Sequence, residues 1–349
     1  MKSKKLFENI LKAVKSRGYK YIELDAVIGA DQIIQRSGEN FRQHMFSFQD
    51  PNGNEMCLRP DLTIVSCLRY LKNKTKNKEK IFYCGQAFRK MEDQRGKIIR
   101  NQIGYEIIGS KSTRKDDNEI IQTSIKTIQK INKTKLKIEI GNIKLFNLLL
   151  DKLKLPKRWK LRLSRHFWRE KYFESLLKRL ETNSDIDLLA VEVDKKRYNK
   201  MKSENQNQMI GGRKIIEILN RFNNKIRDPR KFSEGKKIAS IIREYLKISC
   251  PINIARKKLN IFFSKHKIKI DIKDEFFPLK NKLIKNKIIF STNFGRKLEY
   301  YTGMVFNIKN RSNVNLIQGG RYDNLLSNLG AKRKIPAVGA AINLNSYDS

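Results

Sequence analysis

Cysteine is scarce, and the few present do not pair by spacing. The chain has four, Cys57, Cys67, Cys84 and Cys250, with no CxxC among them. That excludes a disulfide framework and a zinc site, and fits reduced thiols in a cytoplasmic protein. Histidine is scarcer still. His44, His166 and His266 stand far apart, so no metal site is expected, and nothing in the sequence asks for a cofactor. No apolar run approaches the roughly eighteen residues needed to cross a bilayer. The start, MKSKKLFENILKAVKSRGYK, is interrupted by charge every few residues and has no small-residue cleavage site. It reads as an amphipathic helix on Leu6, Ile10, Leu11 and Val14, not as a signal peptide.

Acidic residues are also few: 35 Asp and Glu against 76 Lys and Arg, for a net charge of +41. A basic surface attracts phosphate backbones by counterion release, so a nucleic-acid partner has to be weighed. The excess is mostly Lys, spread along the whole chain beside heavy use of Ile and Asn. All three have A/T-rich codons, and a binding footprint would be clustered. Compositional drift therefore accounts for the charge, and no nucleic-acid partner is expected.

The 349 residues, 39% of them hydrophobic, suffice for about two domains with a sizeable core. Residues 1–17 predict a helix stopped by Gly18, followed by a strand from Tyr19 to Ile28. MFSFQDPNGNEMCLRP predicts a hairpin turning at Asp50-Pro51-Asn52-Gly53. TIVSCLRYLKN has helical spacing on Ile64, Cys67, Leu68 and Leu71. Lys115 to Ile131 predicts a helix, with Asp116 and Asp117 where the dipole favours negative charge. KLKIEIG predicts a strand ending at Gly141, and NIKLFNLLLDKLKL a helix stopped before Pro156. From Pro156 to about Ile248 strand signals vanish and charged helical patterns dominate. Within that stretch Lys195 to Gln208 reads as a loop, and Trp159 and Trp168 as core anchors. Strand signals return in IIFSTNF, LEYYTGMVFNI and NLIQGGRYDNLL. The division is therefore 1–155 and 249–349 as two segments of one core, with 156–248 as a helical insertion.

Four clusters carry chemistry. The central one is Ile81 to Gly109, two strands joined by a charged tip, Lys90 to Lys97. Along the second strand Gln102, Gly104 and Glu106 share a face, because strand side chains alternate. Arg89 ends the first strand. A guanidinium, an amide and a carboxylate converging on one face suit a small zwitterion; the alternative is a solvated hairpin with scattered charge. Arg59-Pro60-Asp61-Leu62-Thr63 places an acid and a hydroxyl at a helix start, where Thr63 could also serve as N-cap. In Arg296-Lys297-Leu298-Glu299-Tyr300-Tyr301-Thr302-Gly303, adjacent tyrosines on a strand would face opposite ways, one into a pocket and one into the core. Gly319-Gly320-Arg321-Tyr322-Asp323 and Pro336-Ala337-Val338-Gly339-Ala340-Ala341 allow close backbone approach.

In this order, LRPDLT, FR…Q…E…G, R.LEYYTG.VF and GGRYDNLL…PAVGAAI, the clusters resemble the histidyl-tRNA synthetase branch of the class II aminoacyl-tRNA synthetases. The resemblance runs from about residue 5 to 345 and skips most of the insertion. It implies an α+β fold, with a mostly antiparallel sheet of six or seven strands flanked by helices, and a self-dimer. It also implies a histidine pocket. Asp61, Thr63 and Gln102 would face the α-amino group and Arg89 the α-carboxylate. Glu106 and a tyrosine of the pair Tyr300/Tyr301 would hold the imidazole. Arg296 would sit near the α-carboxylate.

The departures point away from a synthetase. After the PAVG run, the place of the ATP-holding arginine falls near Asn345 and Ser346, and a triphosphate would lack its charge partner there. FRKM puts Met91 where the synthetases have a glutamate, and Leu24-Asp25-Ala26 occupies the place of the motif 1 proline. The chain closes at Ser349, so no anticodon-binding domain is expected. An amino-acid pocket without an ATP site resembles the regulatory-subunit family of ATP phosphoribosyltransferase, as do RPDLT and RSGENFRQHMFSFQDPNGNEMCLRPDLT. That resemblance implies a non-catalytic chain in a hetero-oligomer with a short-form catalytic subunit, with histidine as effector. The alternatives are a histidyl-tRNA synthetase-like enzyme or a tRNA-binding paralogue.

Overall fold

A computed structural model describes residues 2–37, 42, 45–73, 77–90, 98–131, 136–182, 189–204, 208–210, 213–226, 232–275, 288–295 and 300–347. Its strands are β1 (Lys20–Tyr21), β2 (Val27–Gly29), β3 (Ser47–Gln49), β4 (Glu55–Leu58), β5 (Glu79–Phe88), β6 (Ile99–Ile108), β7 (Lys137–Asn142), β8 (Met209–Ile210), β9 (Arg213–Lys214), β10 (Ser249–Pro251), β11 (Ile288–Ser291), β12 (Met304–Lys309), β13 (Asn315–Arg321) and β14 (Ala337–Asn343). Nine of them form one sheet in the order β1-β5-β6-β14-β13-β12-β7-β11-β10. The pairs β1–β5 and β7–β11 are parallel, and the remaining neighbours are antiparallel. The α+β class is as expected. The two strands beyond seven are the short edges β1 and β10, too short to produce an alternating signal.

The sheet's two faces differ in chemistry. Ile103, Tyr105 and Ile107 of β6 share one face with Val338, Ala340 and Ile342 of β14, and Phe306 and Ile308 of β12 lie beyond them. They form one apolar cluster with Ile10 and Val14 of helix Lys2–Lys15 and with Ile120, Ile121, Ile125 and Ile128 of helix Thr113–Ile131. Burying each isoleucine, valine or phenylalanine among them is worth about 1.5–3 kcal/mol, so this face anchors the sheet. The opposite face carries Gln102, Gly104 and Glu106 of β6, and registers them against Asn343, Ala341 and Gly339 of β14. Small and polar residues there leave the sheet surface accessible to side chains arriving from loops.

Several local expectations hold. The first helix ends at Lys15 and Gly18 turns the chain at φ 78°. Asp50 accepts the amides of Asn52 and Asn54 at 2.9 and 2.8 Å, closing the β3–β4 turn, as side-chain-capped turns do. Others do not. The strand expected over Tyr19 to Ile28 is broken into β1 and the first two residues of β2. The Ile22 amide still donates to Phe82 O at 2.9 Å, then the chain leaves to pair β2 in a separate sheet ordered β2-β4-β3. The polar stretch from Lys195 is helical as far as Lys202, within helix Leu189–Lys202. High helix propensity of Lys, Arg and Met carries a segment that has little apolar stripe.

Between 156 and 248 lie helices Lys157–Arg165, Glu170–Glu181, Leu189–Lys202, Ile215–Ile226 and Phe232–Leu246, with the β8–β9 ribbon between the third and fourth. Trp159 is fully buried in a cluster shared with Phe146, Phe173, Tyr245, Phe262 and Phe290, so it is a core anchor. Trp168 is half-buried, with the Arg169 guanidinium 4.5 Å from its ring centre. Among the described residues no helix is long and apolar enough to cross a membrane. The four cysteines are free, and only Cys84 is not fully buried.

Candidate amino-acid site

The site begins where β4 hands over to helix Leu62–Lys72. Arg59 is buried, and its Nε donates to Gln86 O at 2.8 Å while its backbone amide donates to Ala26 O at 2.9 Å. It braces the entering loop against β5. Asp61 then stands extended, at φ −154° and ψ 128°, and accepts the Ile64 amide at 3.1 Å. Asp61, not Thr63, is therefore the N-cap. An Ncap side chain satisfies an orphan amide of the first turn, and Thr63, one residue into the helix, is left with its hydroxyl pointing at the sheet.

That hydroxyl meets Glu106. Thr63 Oγ1 donates to Glu106 Oε1 at 3.0 Å, and Tyr83 Oη donates to the same oxygen at 2.6 Å. Tyr322 Oη donates to Oε2. A carboxylate offers about four lone-pair sites; three are taken, and the one remaining is on Oε2. Glu106 is 1% exposed. Burial pushes its carboxyl up to about 7, against the lowering effect of the Tyr322, Tyr83 and Thr63 hydroxyls, and the charge of Asp61 adds to the rise. Burial, reinforced by the Glu106 charge, also raises the phenols of Tyr83 and Tyr322, so both stay neutral donors.

Two glycines make the arrangement possible. A Cβ on Gly339, directly across from Glu106, would fall 1.3 Å from Glu106 Oε2. A Cβ on Gly104, across from Tyr83, would fall 2.3 Å from its ring. No side chain larger than hydrogen leaves room for the carboxylate and the ring.

Arg89 lies at the rim. Its Nε donates to Pro60 O at 2.7 Å and its Nη2 to Asp61 Oδ2 at 3.2 Å. Gln102 is half-buried on the Glu106 face, across from Gly85 and Asn343. Tyr300 and Tyr301 do not alternate across a strand. They precede β12 and pack on each other, ring centres 4.7 Å apart, and Tyr300 meets Tyr322 edge-on at 5.9 Å. Tyr301 lies over Gly320, whose added Cβ would approach its ring to 2.9 Å. Of the strand expected from Leu298, the described part begins at Met304, because Tyr300 to Gly303 curl over the Glu106 face of the sheet. Asp61, Thr63, Arg89, Glu106, Tyr300 and Tyr301 thus converge around one end of the face. Arg296 and Met91 lie outside the described residues.

Two members were missed from sequence, Tyr83 and Tyr322. A signal for Tyr83 existed: it falls on the Glu106 face if the hairpin register is set by its tip. Tyr322 had only its place in GGRYD, and nothing local tied it to Glu106. Past β14 the chain makes a turn, Leu344–Tyr347. Asn345 Oδ1 accepts the Asn101 amide at 2.7 Å, its Nδ2 donates to Ile99 O at 2.8 Å, and Ser346 Oγ donates to Asn315 O at 2.7 Å. Both side chains are buried and uncharged; they tie this turn to β6 and β13 at the place where the synthetase pattern puts its nucleotide-binding arginine.

The family model for histidyl-tRNA synthetase matches residues 1–346. The chain belongs to the histidyl-tRNA synthetase family. Similar proteins include the ATP phosphoribosyltransferase regulatory subunit of Sinorhizobium fredii, 27% identical over 94% of this chain and 91% of the relative. The same subunit of Brucella anthropi is 26% identical over 97% of this chain and 94% of the relative. Among solved structures, an ATP phosphoribosyltransferase regulatory subunit/histidyl-tRNA synthetase from Bacillus halodurans shares the fold, at TM-score 0.62 and 20% identity over 99% of this chain and 77% of that one. Histidyl-tRNA synthetase from Nostoc sp. PCC 7120 does so at TM-score 0.62 and 15% identity, over 99% of this chain and 70% of that one. As a member of the histidyl-tRNA synthetase family, the chain has the class II catalytic fold expected of it.

Proposed function

We propose that this chain is the regulatory subunit of ATP phosphoribosyltransferase, supporting the first step of histidine biosynthesis and its feedback regulation by histidine. The carrying observation is that relatives matched over more than nine-tenths of the chain bear that name. The site chemistry agrees. The Asp61–Arg89 pair offers one charge of each sign, as an amino-acid zwitterion requires. Glu106 keeps one acceptor position for a ring N–H, and an analogue without that N–H would leave the buried carboxylate short of a donor.

In this reading the chain is not itself a catalyst. It works in the cytoplasm as a self-dimer within a hetero-oligomer with a short-form catalytic subunit. Histidine bound among Asp61, Thr63, Arg89, Gln102, Glu106, Tyr300, Tyr301 and Arg296 is coupled to the partner's active site, and that coupling free energy is the regulation. The test is co-purification with the short catalytic subunit, followed by its phosphoribosyltransferase assay with and without histidine. No complex, together with no change in activity, sinks the proposal. Glu106→Ala separates a working pocket from an effector site elsewhere, since only a working pocket loses the histidine response on that change.

The synthetase-like alternative is favoured by one observation, the family model spanning residues 1–346. Histidine-dependent pyrophosphate exchange with ATP would support it. Salt-dependent tRNA retention without histidine binding would instead support a tRNA-binding paralogue.

A further inference from the structure

Arg321 and Tyr322 are consecutive at the end of β13, and their side chains leave on opposite faces of the sheet. Tyr322 reaches Glu106. Arg321 enters a buried ion-pair network on the far side. Its Nε and Nη2 lie 2.8 and 2.6 Å from Asp117 Oδ1, its Nη1 donates to Asp323 Oδ1 at 2.8 Å, and its Nη2 donates to Thr113 O at 3.1 Å. Asp323 Oδ1 also accepts the Ala337 amide at 3.1 Å, and the Asp323 amide donates to Thr302 Oγ1 at 2.9 Å. One buried guanidinium therefore ties the first turn of helix Thr113–Ile131 to the end of β13. Through Asp323 it also reaches the start of β14 and the segment carrying Tyr300 and Tyr301.

None of these three charged side chains contacts Glu106, yet together they determine where the strand end lies. The Tyr322 amide donates to Ala337 O at 2.8 Å, which sets its height along the strand. Its sideways position follows from how firmly its neighbour is held on the other face. A guanidinium with all three nitrogens engaged has little freedom, and removing one carboxylate leaves buried charge to rearrange.

We propose that Asp117, Arg321 and Asp323 are positioning residues for the amino-acid site, holding the Tyr322 hydroxyl against Glu106 from the opposite side of the sheet. Its consequence for ligand binding rests on Glu106 belonging to the histidine pocket; its structural content does not. Loosening the network lengthens the Tyr322–Glu106 bond. That bond favours the ionised carboxylate, so its loss moves the Glu106 titration upward.

The experiment follows the Glu106 carboxyl carbon by NMR in glutamate-labelled protein, assigned with Glu106→Gln. Asp117→Asn is expected to raise the midpoint by about half a pH unit or more. Tyr322→Phe is expected to raise it as well, and the double variant to add little further, because both act on one bond. An unmoved midpoint in Asp117→Asn, or a shift that adds in full to that of Tyr322→Phe, overturns the proposal. Should Asp117→Asn fail to fold, Asp323→Asn gives the same reading from the other end of the guanidinium, with the same two outcomes deciding. Histidine calorimetry on the same proteins is expected to show affinity falling about tenfold in Asp117→Asn, the equivalent of about 1.4 kcal/mol. If the midpoint moves but wild-type protein binds no histidine, the positioning role stands and the histidine reading falls.

Discussion

A carboxyl group at 1% exposure whose pKa has risen from 4.5 to about 7 makes folding depend on pH in a defined window. The unfolded chain binds its proton at Glu106 less tightly than the folded one. Stability from this group is therefore fully present below pH 4.5 and is lost as pH rises through about 7. Each pH unit of separation is worth about 1.4 kcal/mol, so the whole effect is roughly 3 kcal/mol, of which about 2 to 3 kcal/mol falls between pH 5 and pH 8. Glu106→Gln keeps the volume and removes the titration. Urea unfolding of both proteins at pH 5, 6, 7 and 8 isolates the term. Wild-type stability should fall relative to the glutamine variant by that amount across the series. Asp117, raised by burial to about 6, adds a slope of the same sign, but it is common to both proteins and cancels in the difference. Two parallel curves would mean that Glu106 is already ionised at low pH, held so by its three hydroxyl donors, and the burial reasoning would be wrong.

Gly339→Ala should cost about 3 kcal/mol or more and abolish histidine binding, because the new methyl displaces a carboxylate held by three hydroxyls; thermal melting and calorimetry check both halves. Asp61→Ala should lose about 1 kcal/mol of stability that Asp61→Asn retains, since Asn caps a helix as well as Asp does. Both changes should weaken histidine binding, because neither leaves a charge opposite Arg89. Arg89→Lys should lower histidine affinity about tenfold with a stability change under about 1 kcal/mol, because a lysine lacks the planar fork but keeps the charge beside Asp61 in the partly buried pair. Equal affinity for both proteins in calorimetry would remove Arg89 from the site.

Much of the Glu106 face of the sheet is legible in the sequence. Period-2 alternation alone put Gln102, Gly104 and Glu106 on one face, and the Arg59-Pro60-Asp61 step marked a helix start. Thr63 is not the cap, because Asp61 two residues earlier starts the helix and accepts the Ile64 amide, and only backbone geometry separates the two possibilities. The tyrosine pair was misread because alternation holds only within a strand, and Tyr300 and Tyr301 precede β12.

Local chemistry in the chain was enough to determine most of its helices and strands, the start of helix Leu62–Lys72, and the shared face of Gln102, Gly104 and Glu106. Those follow from neighbours a few residues apart. The tertiary structure alone decided that Tyr322, 216 residues from Glu106, would complete the carboxylate's hydroxyl cage, and that Arg321 beside it would turn to Asp117. Both depend on β14 lying between β6 and β13. Strand order is a property of how whole hydrophobic faces pack, which no short stretch of residues specifies.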